Sequence, residues 1–546
     1  MSVKSARTLP PGALDTRTLD SSALTAAVQD EGVPTLTILH HPDPARVGHE
    51  ARLPALLEGR GVDLSRVEPV FAPPGATSPA APLADPFLSR RPVHLGHTPS
   101  GGITLEPGGE GLRLVADGQP VESRTLFPPE TLENGLVVEL GRRVVLLLHR
   151  GPPPGPRPPS LGLVGDGPGM VALRRDVLRV ADAGVPVLLR GETGTGKELV
   201  AQAIHRASPR SAAACVCVSM AAIPQATAAS ELFGHTRGAF TGAVGDHPGF
   251  FASAHGGTLF LDEIGETPSE VQVMLLRVLE TSTVQPLGAR AARPVDVRIV
   301  SATDADLEAD VRAGRFRAPL LHRLSGYQIL LPPLRARRED IGRLLLHFLR
   351  ESLRQLGEPA RLDAPPAPDA RPFLSAALVG RLARHDWPGN VRQLRNIARQ
   401  LVVSSRGLDE VRVDATVERM LTAGRAEGPE SLAPVSLPPG SLAPAGAGAT
   451  AAPRRRPADI TDEELLAALR ANRFRIDATA VALGVPRASL YMLIDRCPQV
   501  RKARDLGRDE LLAAQVACGG DLDAMSAALE VSQRGLKLRL SELGLG

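Results

Sequence analysis

GETGTGKE (residues 191–198) is the strongest indication of fold in this sequence. It follows the strand-like run VPVLLR and precedes the helical run ELVAQAIH, which is the context of a loop that binds phosphate groups. Its glycines let the backbone approach the phosphates, and the start of the helix adds positive potential. The side chain of Lys197 is placed to neutralise them. The residues predicted to bind nucleotide in this phosphate loop are Gly191, Glu192, Thr193, Gly194, Thr195, Gly196, Lys197 and Glu198.

A second motif, GGTLFLDEIGE (residues 256–266), supplies two carboxylates. Its apolar run predicts a strand that ends at Asp262 and Glu263, and ligands of open α/β sheets bind at the carboxyl ends of strands. We predict that Asp262 holds Mg²⁺ through water and that Glu263 orients or deprotonates an attacking water. Because Glu198 follows Lys197, the usual hydroxyl ligand of Mg²⁺ is missing, and the loop alone leaves a glycine-rich structural turn open as an alternative. The two motifs in this order favour a nucleotide site.

Composition limits the remaining possibilities. The chain has 546 residues, which suggests several domains, and 43% of them are hydrophobic, enough for ordinary cores. The formal net charge is only +3, so any nucleic-acid binding must come from a local patch. Four cysteines exclude a disulfide scaffold. The N-terminus does not resemble a signal peptide, and the apolar run at 144–148 is far too short to span a bilayer, so we expect a cytoplasmic protein with no membrane partner.

The residue patterns change along the sequence in a way that predicts a multidomain protein. Short Val/Leu runs punctuated by Pro and Gly predict an N-terminal all-β domain, and alternating strand and helix patterns predict a central α/β domain followed by a helical lid. The C-terminal part repeats itself with an offset of 46 residues, as in EELLAALRAN at 463 and DELLAAQVAC at 509. The predicted divisions are a flexible tail (1–33), the β domain (34–150), a Pro-rich linker (151–160), the α/β domain (161–334), the lid (335–424), a flexible linker (425–458) and two helical repeats (459–505 and 506–546).

Between the two nucleotide motifs lies ELFGHTRGAFTGA (residues 231–243). Together with GETGTGKE and LFLDEIGE it resembles the AAA+ P-loop ATPase domain of the bacterial sigma-54-dependent transcription activators, over about residues 160–400. In that family the phosphate loop normally ends in GKE. The resemblance implies a ring of usually six subunits with ATP between neighbours, and a loop that touches sigma-54 RNA polymerase at the closed promoter complex. The implied contact residues are Gly238, Ala239, Phe240, Thr241, Gly242 and Ala243, although a turn with Phe240 tucked into the core stays open.

The same resemblance assigns further roles. GRFRAPLLHRL (314–324) is similar to the segment with trans-acting arginine fingers, which makes Arg317 and Arg323 candidates for offsetting charge on the transferred phosphoryl group, unless they pair with surface acids. WPGNVRQLRN (387–396) is similar to the lid motif whose arginine, here Arg392, contacts phosphates.

Some positions depart from the family. Thr303 and Asp304 stand where the sensor usually reads Thr-Asn, and Ser219 stands where an Asn usually switches the catalytic glutamate. These departures leave open a DNA-binding regulator with impaired ATPase activity.

The two ends of the chain carry weaker resemblances. Both C-terminal repeats resemble the Fis-type helix-turn-helix, which implies binding of enhancer DNA, with solvated helical hairpins as the alternative. The implied DNA contacts are Arg487, Ser489, Tyr491, Gln533, Arg534, Lys537 and Arg539. The N-terminal domain resembles a divergent forkhead-associated (FHA) sandwich, on RVGHEARL (46–53) and LSRRPVHL (88–95). That implies phosphothreonine recognition through Arg46, Ser89 and Arg90, and an inert sandwich is equally open.

Overall fold

The computed structural model describes residues 32–75, 80–109, 113–152, 155–363, 372–422, 435–436, 461–472 and 506–518, with a few isolated positions between 474 and 540. Most of the predicted tail at 1–33 and most of the predicted linker at 425–458 lie outside these residues. The predicted end of the tail is wrong by one residue, because Val33 already pairs with Gly151 in the first strand. Contacts divide the chain into two units, at 1–441 and 442–546.

The N-terminal part of the first unit is a sandwich of two antiparallel sheets. One has six strands in the order β2-β1-β10-β9-β6-β7, and the other has five in the order β18-β8-β5-β4-β3. Two residues of the predicted linker, Val435–Ser436, form β18. The strands are β1 (Val33–His40), β2 (Glu50–Arg52), β3 (Val62–Leu64), β4 (Val93–His97), β5 (Ile103–Pro107), β6 (Leu114–Ala116), β7 (Gln119–Pro120), β8 (Thr125–Phe127), β9 (Leu136–Leu140), β10 (Val144–Gly151) and β18 (Val435–Ser436), with short helices α1 (Pro54–Leu57) and α2 (Glu130–Asn134).

The apolar run in β10 is buried on both faces. Successive side chains of a strand point to opposite faces of the sheet. Leu146 and Leu148 accordingly lie in the core between the two sheets. Val145 and Leu147 lie in a second core, which they share with helices of the lid. The β domain is therefore packed directly onto the lid.

The central part is a parallel sheet with helices on both sides. The strand order is β12-β13-β16-β11-β17, and all neighbours run parallel. The strands are β11 (Val187–Arg190), β12 (Cys215–Ser219), β13 (Thr258–Asp262), β16 (Arg298–Thr303) and β17 (Tyr327–Leu330), and β14 (Thr283–Val284) and β15 (Arg293–Pro294) form a separate hairpin. The helices are α3 (Pro168–Ala181), α4 (Lys197–Arg206), α5 (Ala228–Phe233), α6 (Gly249–Ser253), α7 (Ser269–Thr281), α8 (Leu307–Arg312) and α9 (Ala318–Leu324).

After a short entry segment, the regular elements in the described residues of the lid (335–363 and 372–422) are helices. Trp387 is fully buried at its centre, and its indole Nε1 donates to Leu382 O at 3.0 Å. The single Trp of the chain therefore belongs to the lid core. The helices are α10 (Ile341–Gln355), α11 (Ala360–Asp363), α12 (Ala376–Ala383), α13 (Asn390–Ser404) and α14 (Ala415–Thr422).

The second unit holds two small helical cores that follow the sequence repeat. Its described helices are α15 (Asp462–Ala471) and α16 (Arg508–Ala517). Leu465 and Leu511 occupy equivalent repeat positions, and each is buried in its own core. The same holds for Leu483 and Leu529. The burial pattern therefore repeats with the sequence.

A membrane-spanning helix is not found in the described parts of either unit, since none of their helices is both long and apolar enough.

Candidate nucleotide site

The phosphate loop follows β11, which is flanked by β16 and β17, and leads into α4 at Lys197. Gly194 and Gly196 have φ angles of 80° and 104°, in the left-handed region that favours glycine. Gly194 also lies against the lid, because a Cβ there would come within 2.5 Å of Gly389 O. The ammonium of Lys197 donates to Gly191 O at 2.7 Å. The loop is thus curled around its own lysine.

The predicted acidic pair lies at the end of β13, on the same edge of the sheet. Burial raises the pKa of Asp262, and Lys197 opposes that rise. Burial lowers the pKa of Lys197, while Asp304, Asp262 and Glu263 raise it. Glu263 adopts a left-handed φ of 54°, and its backbone N–H donates to Asp262 Oδ1 at 3.0 Å. The edge therefore brings the ammonium of Lys197 together with the carboxylates of Asp262, Glu263 and Asp304, a combination suited to a phosphate group with a metal ion.

Ser219 contacts the candidate catalytic carboxylate. It ends β12 in register with Asp262, and its hydroxyl donates to Glu263 Oε2 at 2.9 Å. The shorter side chain at this position therefore still reaches Glu263.

The two sensor positions lie beside the phosphate loop. Thr303 is buried at the end of β16, where its carbonyl accepts from Gly191 N at 3.3 Å. The carboxylate of Asp304 accepts a hydrogen bond from the hydroxyl of Thr193. Asp304 thus replaces an amide by a charged acceptor that contacts the loop itself.

The lid meets the phosphate loop at the start of α13. The backbone N–H groups of Val391 and Arg392 donate to Gly194 O at 3.0 and 3.3 Å. These bonds place Arg392, the predicted phosphate contact, next to the loop. The positive charge of Arg392 contributes to lowering the pKa of Lys197.

Sequence reasoning missed two lid residues that hold Glu192 of the loop. Asn390 is fully buried, and its Nδ2 donates to Glu192 Oε2 at 3.0 Å and to Thr193 O at 3.1 Å. Arg335 Nη1 donates to the same carboxylate at 2.9 Å. Asn390 stands inside the WPGN motif two residues before Arg392, and that position was the available signal. For Arg335 the sequence offered no such signal.

Arg317 and Arg323 lie at the surface around α9. Arg317 caps the helix, and its backbone N–H donates to Gln272 Oε1 at 2.9 Å. Arg323 Nε lies 3.7 Å from Glu280 Oε1, and both side chains are largely exposed. A weak pairing with a surface acid is therefore present at one of the two candidate fingers.

The GAFTGA segment forms an exposed loop between α5 and α6. Gly238 N donates to Ala243 O at 2.9 Å and Ala243 N donates to Phe240 O at 3.0 Å, so the six residues close on themselves. Phe240 is 44% exposed, and its ring packs edge-on against His235 with centroids 5.0 Å apart. The alternative of a phenylalanine tucked into the core is therefore wrong. Thr241 is exposed at the same tip.

The predicted phosphopeptide residues have local partners in the β domain. Arg46 Nη2 donates to Ala81 O and Pro82 O, both at 2.9 Å. The hydroxyl of Ser89 accepts from Arg91 N at 2.9 Å, and Arg90 is exposed.

Of the predicted DNA contacts, only Arg539 is described, and its Nε donates to Leu506 O at 3.3 Å. The other six lie outside the described residues: Arg487, Ser489, Tyr491, Gln533, Arg534 and Lys537.

Across the described residues, no group of three or more His, Cys, Asp or Glu side chains could hold a metal ion. A metal ion at the nucleotide site would therefore need ligands in addition to protein carboxylates.

Comparison with known proteins identifies the central region. Residues 163–330 match the family model of the sigma-54 interaction domain, and residues 335–431 match that of the AAA+ ATPase lid domain. The DNA-binding transcriptional regulator NtrC of Salmonella typhimurium is 46% identical over 278 residues, which are 51% of this chain and 57% of NtrC. The anaerobic nitric oxide reductase transcription regulator NorR of Escherichia fergusonii is 45% identical over 256 residues, which are 46% of this chain and 49% of NorR.

Among solved structures, NtrX from Brucella abortus in complex with ATP is 29% identical, with a TM-score of 0.42, and the match covers 70% of this chain and 69% of that one. The chain spans about half the length of the curated relatives it matches. The two family matches cover the phosphate loop, the acidic pair, the GAFTGA loop and the lid contacts. The central region of this chain is therefore a sigma-54 interaction domain followed by an AAA+ ATPase lid domain, similar to a part of NtrC and NorR.

Proposed function

We propose that the chain is a transcriptional regulator that binds enhancer DNA and uses ATP hydrolysis in an oligomeric ring to remodel the closed complex of sigma-54 RNA polymerase. One observation carries the proposal. The GAFTGA loop, with Phe240 44% exposed, belongs to the same domain as a phosphate loop with an acidic pair beside it. An exposed aromatic ring between flexible glycines suits a protein contact that moves.

At the nucleotide site each residue has a chemical task. Lys197 offsets the charge of the β- and γ-phosphates. Glu263, once released from Ser219, orients or deprotonates the attacking water. Asp262 is the carboxylate that would hold Mg²⁺, an ion that characteristically takes one or two carboxylates and completes its shell with phosphates and water. The bound ion would neutralise charge on the phosphates.

Arg317 and Arg323 explain why the active form would be a ring. Both lie at the surface, where they are accessible to the nucleotide of a neighbouring subunit. A guanidinium supplied in trans offsets charge on the transferred phosphoryl group. Turnover then requires assembly, which we infer to be a hexamer-like ring.

In this proposal the C-terminal repeats bind DNA and the N-terminal domain receives the regulatory signal. The proposal assigns enhancer DNA to the C-terminal repeats as Fis-type helix-turn-helix units. It assigns signal input to the β sandwich as an FHA-like reader of a phosphothreonine protein. The repeated burial pattern and the two-sheet architecture support these assignments.

A second candidate function is a DNA-binding regulator with impaired ATPase activity. Two contacts favour it: the hydrogen bond of Ser219 to Glu263, and the carboxylate of Asp304 at the phosphate loop. Both place unusual side chains at positions that control hydrolysis.

The test is Thr241→Ala in the GAFTGA loop, with Thr227→Ala as the control, an exposed threonine of the same domain outside the loop. We expect Thr241→Ala to abolish open-complex formation at a sigma-54 promoter while ATP hydrolysis changes modestly. Thr227→Ala keeps both activities. Full transcription activation by the Thr241→Ala protein would refute the proposal.

A further inference from the structure

The β domain, the lid and the nucleotide-binding domain meet at a buried group of charged side chains. This group, which we call the junction cluster, contains four arginines and four acidic side chains. Burial raises the pKa of Glu339 and of Asp340. The members are Glu50, Arg157, Asp166, Arg174, Arg337, Glu339, Asp340 and Arg343.

On one side the junction cluster contacts the phosphate loop. Arg337 is 4% exposed, and its Nη2 donates to Thr195 O at 3.2 Å. Its Nη1 donates to Met170 Sδ at 2.7 Å. Burial lowers the pKa of Arg337, and the carboxylates of Asp340 and Glu339 oppose that fall. A buried arginine with carboxylates beside it and a backbone carbonyl in front has little freedom to move.

On the other side the cluster contacts the β domain. Arg343 Nη2 donates to Gly48 O at 3.0 Å, and its other terminal nitrogen pairs with Asp166. Asp340 Oδ1 accepts from Asp166 N at 2.7 Å and from Gly167 N at 3.1 Å. Asp340 therefore fixes the segment at 165–167 to the lid, and Arg343 links that segment to the β domain by contacting both Asp166 and Gly48.

Tight apolar packing fixes the same interface. Leu39, Val145 and Leu147 of the β domain share one core with the lid. Gly342 of α10 lies so close to β1 that a Cβ there would come within 2.2 Å of Leu39 O. Displacement of the β domain would therefore disturb α10 next to Arg343.

We propose that Arg337 is a positioning residue of the phosphate loop, and that docking of the β domain on the lid holds Arg337 in place. The inference rests on the proposed nucleotide function. The β domain then sets nucleotide affinity through the lid, and an input that loosens this docking lowers the affinity.

Gly342→Ala tests the proposal, because alanine favours the helix while its Cβ pushes β1 away. Ser352→Ala, on the same helix, is the control. Arg337→Met removes the contact with the loop, and Arg343→Met removes the contact with Gly48 as a second way to loosen the interface. The readout is the affinity of the full chain for a fluorescent ATP analogue, at a temperature where melting curves show every variant folded. Amide exchange at Leu39 reports whether the interface has loosened.

We expect Gly342→Ala, Arg343→Met and Arg337→Met each to weaken binding about threefold to tenfold, the worth of one net hydrogen bond. The double variant Gly342→Ala/Arg337→Met should bind the ATP analogue with the same affinity as whichever single variant binds it less tightly. Both substitutions act through the one contact between Arg337 and Thr195, so their effects should not multiply. Ser352→Ala should bind as the wild type does.

Wild-type affinity in a folded variant with a loosened interface would overturn the inference and leave the proposed function intact. Multiplying effects in the double variant would overturn it equally. A wild-type protein that binds no nucleotide would overturn the proposed function itself.

Discussion

The hydrogen bond from Ser219 to Glu263 makes a quantitative prediction about hydrolysis. Ser219 ends β12, which pairs with β13 on the side away from β16 and β11. The 2.9 Å bond therefore draws the carboxylate of Glu263 toward the outer strand and away from the phosphate loop. We predict that Ser219→Ala frees Glu263 and raises the basal rate of ATP hydrolysis.

The magnitude follows from the environment of the bond. A hydrogen bond to a charged group contributes about 1.5–3 kcal/mol when it is shielded from water. Both side chains are only half-buried, so solvent screening reduces the contribution to about 1 kcal/mol. That energy corresponds to about fivefold in the ratio of free to held carboxylate. We expect Ser219→Ala to raise kcat about fivefold with KM for ATP unchanged.

The assay is phosphate release at a protein concentration where turnover per subunit is constant, so that assembly does not limit the rate. Ser219→Asn is the matched variant, and its amide donor should keep kcat at or below the wild-type value. Glu263→Gln should remove turnover in both backgrounds. A tenfold fall in kcat for Ser219→Ala would refute the reasoning, because Ser219 would then align Glu263 for catalysis.

Three further predictions follow from single contacts. Asp304→Asn removes a carboxylate from the phosphate loop, so KM for ATP in a turnover assay should fall about threefold to tenfold, and a raised KM would contradict this. Gly194→Ala places a Cβ 2.5 Å from Gly389 O at a φ of +80°, so the affinity for an ATP analogue should fall at least about tenfold with circular dichroism unchanged, and wild-type affinity would be the contrary result. Burial lowers the pKa of His149 from 6.5 to about 4, so the unfolded state binds the proton first and stability falls as the pH drops from 6.5 toward 4. The loss should approach about 3 kcal/mol in denaturant titrations and be smaller in His149→Gln; equal pH dependence in both proteins would disprove it.

The nucleotide site was predictable because its parts follow from strand order and local sequence. A phosphate loop after one parallel strand and an acidic pair after another must meet at the same edge of the sheet. The exposed tip of the GAFTGA loop also agrees with the predicted contact surface. By contrast, the contacts of Asn390 and Arg335 with Glu192 depend on how the lid is oriented, which local patterns do not encode.

The docking of the β domain could not be predicted from the sequence. The run at 144–148 indicates a strand buried on both faces, but not which part of the chain covers the outer face. The covering residues come from α10 and α12, about 200 residues further on. The balanced charges of the junction cluster are likewise scattered along the chain between Glu50 and Arg343, and only the tertiary structure brings them together.

We propose that this chain is an ATP-driven motor that works on sigma-54 polymerase. The most direct test is ATP turnover by the full-length protein as a function of its concentration, with and without a sigma-54 promoter complex. If Arg317 and Arg323 complete the site of a neighbouring subunit, turnover per subunit should rise steeply with protein concentration and respond to the promoter complex. Nucleotide binding without turnover at any concentration would contradict this proposal and favour the DNA-binding regulator with impaired ATPase activity.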